Sequence, residues 1–173
     1  MNYADIKEYD VANGPGVRLS LFVSGCPHHC KNCFNQETWD YSYGKPFTEV
    51  EISSIVSTLK KKLGIIYNGI TILGGEPFAD SNTSEVLNFV KILKQEIPNI
   101  DIWVYSGYTY EELIKNEHKL SLLKEINTLV DGRFVESLKD IKLKFRGSSN
   151  QRIINVQDSL SEKKIIIRSE YNN

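Results

Sequence analysis

The chain contains three cysteines, Cys26, Cys30 and Cys33, spaced Cx3Cx2C in a single short segment. Thiolates this close can wrap one metal centre, and they suit zinc or an iron–sulfur cluster. A disulfide framework would want an even number of cysteines spread along the chain. A structural zinc site takes four protein ligands, so here it would need His28 or His29 as the fourth. A 4Fe–4S cluster usually takes one thiolate per iron. With three thiolates, one iron is left open to an exogenous ligand, and an open position is what chemistry at a metal requires. The loop alone therefore permits a cluster, a Cys3His zinc site or three unliganded thiols.

Other unusual residues sit elsewhere in the chain. Gly74-Gly75-Glu76-Pro77 combines a glycine pair, which lets backbone approach a ligand closely, with a carboxylate that suits a cation. The same four residues would also make a plain turn. Ser106-Gly107 and Asp131-Gly132 are further candidates for ligand contacts or for turns. Asn32, Cys33 and Phe34 form the rim of the cysteine loop, and Phe34 offers an aromatic face. Arg146 and Arg152 flank a polar Gly-Ser-Ser-Asn-Gln stretch that would serve equally as a contact or as a solvated loop. His28, His29 and His118 read as loop or helix-surface residues, and Trp39 and Trp103 as packing residues. No Ser/His/Asp set or paired carboxylate stands out.

These residues follow strand-like runs. Val17–Val23 alternates and then turns apolar, as a strand does, and the cysteines come next. Gly69–Leu73 leads into Gly74-Gly75-Glu76-Pro77, Ile100–Tyr105 into Ser106-Gly107, and Thr128–Val130 into Asp131-Gly132. Helical patterns lie between them. Thr48 with Glu51 forms a capping box ahead of Ile52, Ile55, Val56, Leu59 and Leu63. Val86, Leu87, Val90, Leu93 and Ile97 mark a second helix, stopped by Pro98. Thr109 with Glu112 caps a third, and more helix is expected from about His118 to Ile126. Two later strand-like runs, Arg152–Val156 and Lys164–Arg168, have no assigned place. The alternation implies βαβ units and a parallel sheet, with ligands at the carboxyl ends of the strands. A closed eight-unit barrel needs roughly 200 or more residues, and this chain has 173. The expected fold is α/β: a partial, open (β/α) barrel of parallel strands, or an open doubly wound sheet, with the site at the strand C-terminal ends. Residues 1–173 are expected to form a single domain.

Lys and Arg number 21 against 22 Asp and Glu, so there is no basic field for nucleic acid. No run of roughly 18 apolar residues exists to span a membrane. The first ten residues, Met1 to Asp10, lack the character of a secretory signal, which makes the cytoplasm the expected location.

The motifs carry a resemblance. Cx3Cx2C after a first strand is the signature of the radical S-adenosylmethionine superfamily. Asn13–Arg18, Leu21–Cys26, Cys33–Trp39, Gly74–Pro77, Ile102–Tyr108, Val130–Phe134 and Arg146–Arg152, in that order, resemble the anaerobic ribonucleoside-triphosphate reductase-activating proteins. The last twenty or so residues add nothing to the likeness.

The resemblance implies a 4Fe–4S cluster on Cys26, Cys30 and Cys33, with S-adenosylmethionine on the open iron. It implies that Asn32, Cys33, Phe34, Gly74, Gly75, Glu76 and Ser106 hold that cofactor, with Gly74–Glu76 against the methionyl ammonium. Reductive cleavage would yield a 5′-deoxyadenosyl radical. That radical would take a hydrogen atom from a glycine in a C-terminal loop of the reductase large subunit. A flavodoxin-type protein would be the reductant. Activation of another glycyl radical enzyme, of the formate-lyase type, is the alternative target, and a zinc-binding module is the alternative class.

Overall fold

The computed structural model describes residues 1–171. Its strands are β1 (Asn2–Asp10), β2 (Arg18–Val23), β3 (Lys45–Pro46), β4 (Gly69–Gly74), β5 (Ile102–Tyr105), β6 (Thr128–Asp131) and β7 (Arg152–Asn155). Its helices are α1 (Glu49–Lys62), α2 (Asp80–Glu96), α3 (Tyr110–Leu113), α4 (Glu117–Leu123) and α5 (Val156–Glu162). The strands form one open sheet in the order β3-β1-β2-β4-β5-β6-β7.

The central strands β2, β4, β5 and β6 are parallel, while β1 pairs antiparallel with β2 and β3, and β7 antiparallel with β6. The expectation of an all-parallel sheet thus holds at the centre and fails at both edges. The link from Asp10 to Arg18 is too short for the crossover that a parallel pair needs, so the chain turns straight back. Between β6 and β7 there is no crossover helix, and residues 132–151 fold back as an irregular excursion.

Strand alternation sorts the residues onto two faces. Leu19, Leu21, Ile70, Ile72, Val104 and Leu129 pack against residues from all five helices, among them Leu59, Phe89, Leu113, Leu122 and Val156. Among the described residues no second helical layer covers the other face, so the doubly wound option is not realised. There Trp103, Val130 and Ile153 pack with Tyr105, Phe145 and Tyr171. Both faces of β2 are covered, which is why its alternating run dissolves into nearly continuous burial.

The capping boxes at Thr48 and Thr109 form as expected. Helix α2 begins at Asp80, six residues before Val86, because its first turn buries Asn82 and Thr83 rather than apolar side chains. The run Lys164–Arg168 is not a strand; only an isolated bridge joins Ile167 to Ile154. No described helix is long and apolar enough to cross a membrane.

Candidate metal centre

Register brings the carboxyl ends of the parallel strands to one rim, since Val23 pairs with Gly74, and Tyr105 with Val130. The four loops leaving that rim carry the residues singled out above. Cys26, Cys30 and Cys33 line one cavity with Gly74, Gly75, Glu76 and Ser106. Phe34 lines an adjoining cavity of about 390 Å³ over the helix-free face. The two share Cys33, Asn35, Leu73, Tyr105, Phe134 and Gln151, so they form one trough. Asn32 lines neither.

The cysteine loop is wound tightly. Gly25, at φ +94°, lies where a Cβ would meet the Tyr41 ring at 2.1 Å. His29 and Asn32 also adopt positive φ. The amide of Asn32 donates to Glu136, which Lys31 approaches at 3.1 Å. Phe34 is exposed rather than core, and it packs against Phe134 with Lys139 over its face.

Burial pushes the Cys26 thiol up to about 11, helped by Glu76 and Cys30 and opposed by the backbone N–H groups of His28 and His29. Burial and Cys33 raise Cys30 as well. The thiolate is the form that binds metal, so a metal centre on this loop would displace these protons against that shift.

The glycine pair serves backbone packing. A Cβ on Gly75 would come within 2.6 Å of the Gly25 carbonyl oxygen and 3.0 Å of that of Thr38. Gly75 N–H donates to Val23 at 2.7 Å and Glu76 N–H to Gly25 at 2.8 Å. The Gly74–Glu76 turn therefore lies flat on the base of the cysteine loop. Asn82 reinforces this by donating to the carbonyls of Ser24 and Glu76 at 2.9 and 3.0 Å.

Glu76 is fully buried, and its carboxylate accepts four protein donors. Oε1 takes Phe78 N–H at 2.9 Å and the Ser106 hydroxyl at 2.8 Å. Oε2 takes Gly107 N–H at 2.7 Å and pairs with His28 Nε2 at 2.9 Å. In this arrangement Glu76 is a cross-link between three rim loops, and a ligand cation would have to displace one of these donors.

Three side chains sit in settings that the sequence alone did not reveal. The His28 side chain, on a loop as expected, is only 4% exposed and packs inward. Asp131 is buried, accepting from Tyr110 N–H and from Arg152, which also pairs with Glu111. Arg152 thus belongs to an internal ion-pair network, while Arg146 lines the larger cavity. Tyr105 and Gln151 lie in segments that carry the resemblance but are not among the expected site residues, yet both reach the trough. Tyr105 donates to the Phe145 carbonyl, and Gln151 holds the amides of Gly147 and Ser148. Only their place at the ends of β5 and of the excursion before β7 identifies them.

Among the described residues, no three His, Cys, Asp or Glu side chains converge on a single-ion site. His28 is engaged by Glu76, and the His29 ring lies 4.8 Å from that of Trp39. A 4Fe–4S cube asks less convergence of its ligands, because each thiolate binds a different iron. The donor set of three thiols on one loop fits such a cube.

An open α/β sheet with a three-thiol loop at its carboxyl rim is the frame of a protein built around one iron–sulfur cluster, and the family described as "4Fe-4S single cluster domain" matches residues 12–154. The chain is 43% identical over 151 residues to the anaerobic ribonucleoside-triphosphate reductase-activating protein of Escherichia coli (strain K12), covering 87% of this chain and 96% of that protein. The protein of the same name from Vibrio cholerae is 44% identical over 153 residues, covering 88% and 97%. That of Enterobacteria phage T4 is 38% identical over 153 residues, covering 88% and 93%. The chain belongs to the anaerobic ribonucleoside-triphosphate reductase-activating protein family.

Proposed function

We propose that this chain, acting as a single domain, activates anaerobic ribonucleoside-triphosphate reductase by placing a glycyl radical on its large subunit. The observation that carries this reading is the convergence of Cys26, Cys30 and Cys33 with Gly74, Gly75, Glu76 and Ser106 around one cavity that opens into a larger one. A reduced 4Fe–4S cluster at the three thiols would supply the electron that splits S-adenosylmethionine into methionine and a 5′-deoxyadenosyl radical.

The chain's own residues contribute position and shielding. Cys26, Cys30 and Cys33 would hold three irons and leave one open. Gly74 and Gly75, which line the same cavity, would offer backbone to the cofactor. Ser106 and Phe34 line the two parts of the trough and would border the cofactor, and Asn32 holds the loop's outer edge through Glu136. Leu73, Tyr105 and Phe134 exclude water from the trough, which keeps a reactive radical from being quenched.

The larger cavity suits a chain segment from the partner. It is open to the surface, and Phe34 and Ile141, both strongly exposed, stand at its lip. The glycine-bearing C-terminal loop of the reductase is the occupant this reading requires. A flavodoxin-type protein is the electron source, and the cytoplasm is the location.

The test is anaerobic reconstitution followed by incubation with reductant, S-adenosylmethionine and the reductase large subunit. Expected are about four irons per chain, release of 5′-deoxyadenosine and a glycyl-radical signal by electron paramagnetic resonance. The Cys30→Ala variant should lose all three. About one zinc per chain with no iron, or a radical formed only on a formate-lyase-type enzyme, would overturn the proposal.

A further inference from the structure

We infer that His28 is a positioning residue, whose imidazole locks the cysteine loop onto Glu76 and so fixes the cluster relative to the cofactor-binding rim. This deepens the reading just proposed and rests on it.

The residue has a built socket. Its ring is nearly buried and pairs through Nε2 with Glu76 Oε2 at 2.9 Å. The Tyr108 ring meets it edge-on at 4.5 Å between centroids. Gly107 forms the floor, where a Cβ would lie 2.3 Å from the His28 ring. Tyr108 is itself held by Lys119, whose ammonium sits 3.9 Å from the ring centroid and 3.0 Å from Asp80. Glycine at 107 and tyrosine at 108 thus make room for an imidazole and clasp it.

What the clasp joins matters. Between Cys26 and Asn35 the loop is mostly exposed or half-buried and has no regular secondary structure. Its ends are tied by backbone bonds such as Cys26 N–H to Trp39 at 3.2 Å. His28 ties its middle, between the first and second thiols, to the carboxylate that also binds Phe78, Ser106 and Gly107. One side chain therefore sets the offset of the thiol-bearing loop from the Gly74–Glu76 turn, a role that residues behind metal ligands commonly play.

The experiment uses the reconstituted holoprotein and four variants: His28→Ala, His28→Gln, Gly107→Ala and the double His28→Ala/Gly107→Ala. The readouts are iron content, thermal midpoint, and the affinity for S-adenosylmethionine read from the change it causes in the reduced-cluster paramagnetic resonance spectrum. His28→Ala should keep its iron and its fold while binding about tenfold more weakly, the scale of one hydrogen bond to a charged group. His28→Gln, which can offer an amide N–H to Glu76, should recover most of that loss. Gly107→Ala should weaken binding in the wild-type background by pushing the ring aside. It should cost little more once His28 is alanine, because the clash is gone. Unchanged affinity in His28→Ala, no rescue by glutamine, or an equal Gly107→Ala penalty in both backgrounds would overturn the inference. Should wild type itself fail to bind S-adenosylmethionine, the proposed function falls first, and the inference with it.

Discussion

At the end of the sheet remote from the cysteines, the buried Arg18 guanidinium donates to Asp101 Oδ2 at 2.9 Å. It also donates to Thr71 Oγ1 and the Ile70 carbonyl, both at 2.7 Å, and lies over the Trp103 ring. Thr71 in turn donates to the Asn13 carbonyl at 2.8 Å. One side chain therefore closes the bottom of the helix-free face and anchors the loop between β1 and β2. Asp101 is partly exposed and can be resolvated, whereas the carbonyls and hydroxyl around Arg18 cannot. Arg18→Ala should cost about 3 kcal/mol, the lower range for breaking a buried pair, and Asp101→Asn about 1–2 kcal/mol. Anaerobic urea denaturation measures both. A loss below about 1 kcal/mol for Arg18→Ala would show that the network is dispensable.

Glu76 offers a sharper contrast between shape and charge. Each carboxylate oxygen accepts two donors. In Glu76→Gln one oxygen becomes an NH2 group facing two donors in a dry site. Stability should fall by about 1–3 kcal/mol with little change in volume. Ser106→Ala removes one donor to Glu76 and the acceptor of Tyr108 N–H at 3.0 Å, and should cost about 1–2 kcal/mol. Equal thermal midpoints for Glu76→Gln and wild type would contradict the cross-link.

Gly75 has no room for a methyl group, with carbonyl oxygens at 2.6 and 3.0 Å from a Cβ. Gly75→Ala should force the Gly74–Glu76 turn off the cysteine loop. The expected result is poor iron retention after gel filtration with the helical circular dichroism signal preserved. Full retention of iron would mean that the two loops separate without consequence.

Arg152 hydrogen bonds hold the Glu111 carboxyl down at about 2, against an ordinary value of 4.5. A depressed folded value stabilises above the ordinary one and is lost as pH falls toward the depressed one. The thermal midpoint of wild type should therefore drop between pH 4.5 and 2 more steeply than that of Glu111→Gln. The Glu111 side chain is 48% exposed, so solvent screening keeps the effect small. Parallel pH profiles for the two proteins would remove Glu111 from the acid response.

A loss of about 1 kcal/mol is expected for Thr48→Ala, which removes the cap of α1. The Thr48 side chain accepts from Val50 N–H at 3.2 Å, and Thr48 N–H donates to the Glu51 carboxylate at 2.8 Å. Chemical denaturation measures it, and no change would show that α1 is held by packing alone.

Local chemistry was legible in the sequence. The three thiols, the central parallel strands and the capping boxes at Thr48 and Thr109 each depend on spacing along the chain, and spacing survives in one dimension. So does the expectation that the unusual loops meet, because parallel strands in register share a rim. The edge strand β1 was missed: its residues Asn2–Asp10 are mostly half-buried or exposed and show no apolar run. The first turn of α2 was missed because it buries Asn82 and Thr83, polar residues that hydropathy cannot distinguish from solvated ones. Tertiary structure alone decided which partners the buried polar groups take. His28 and Glu76 are 48 positions apart, and Arg18 and Asp101 are 83 apart. No periodicity encodes such a pairing. It follows from where folded loops and strand ends meet, and from the cost of leaving a charge or an imidazole without a partner once water is gone.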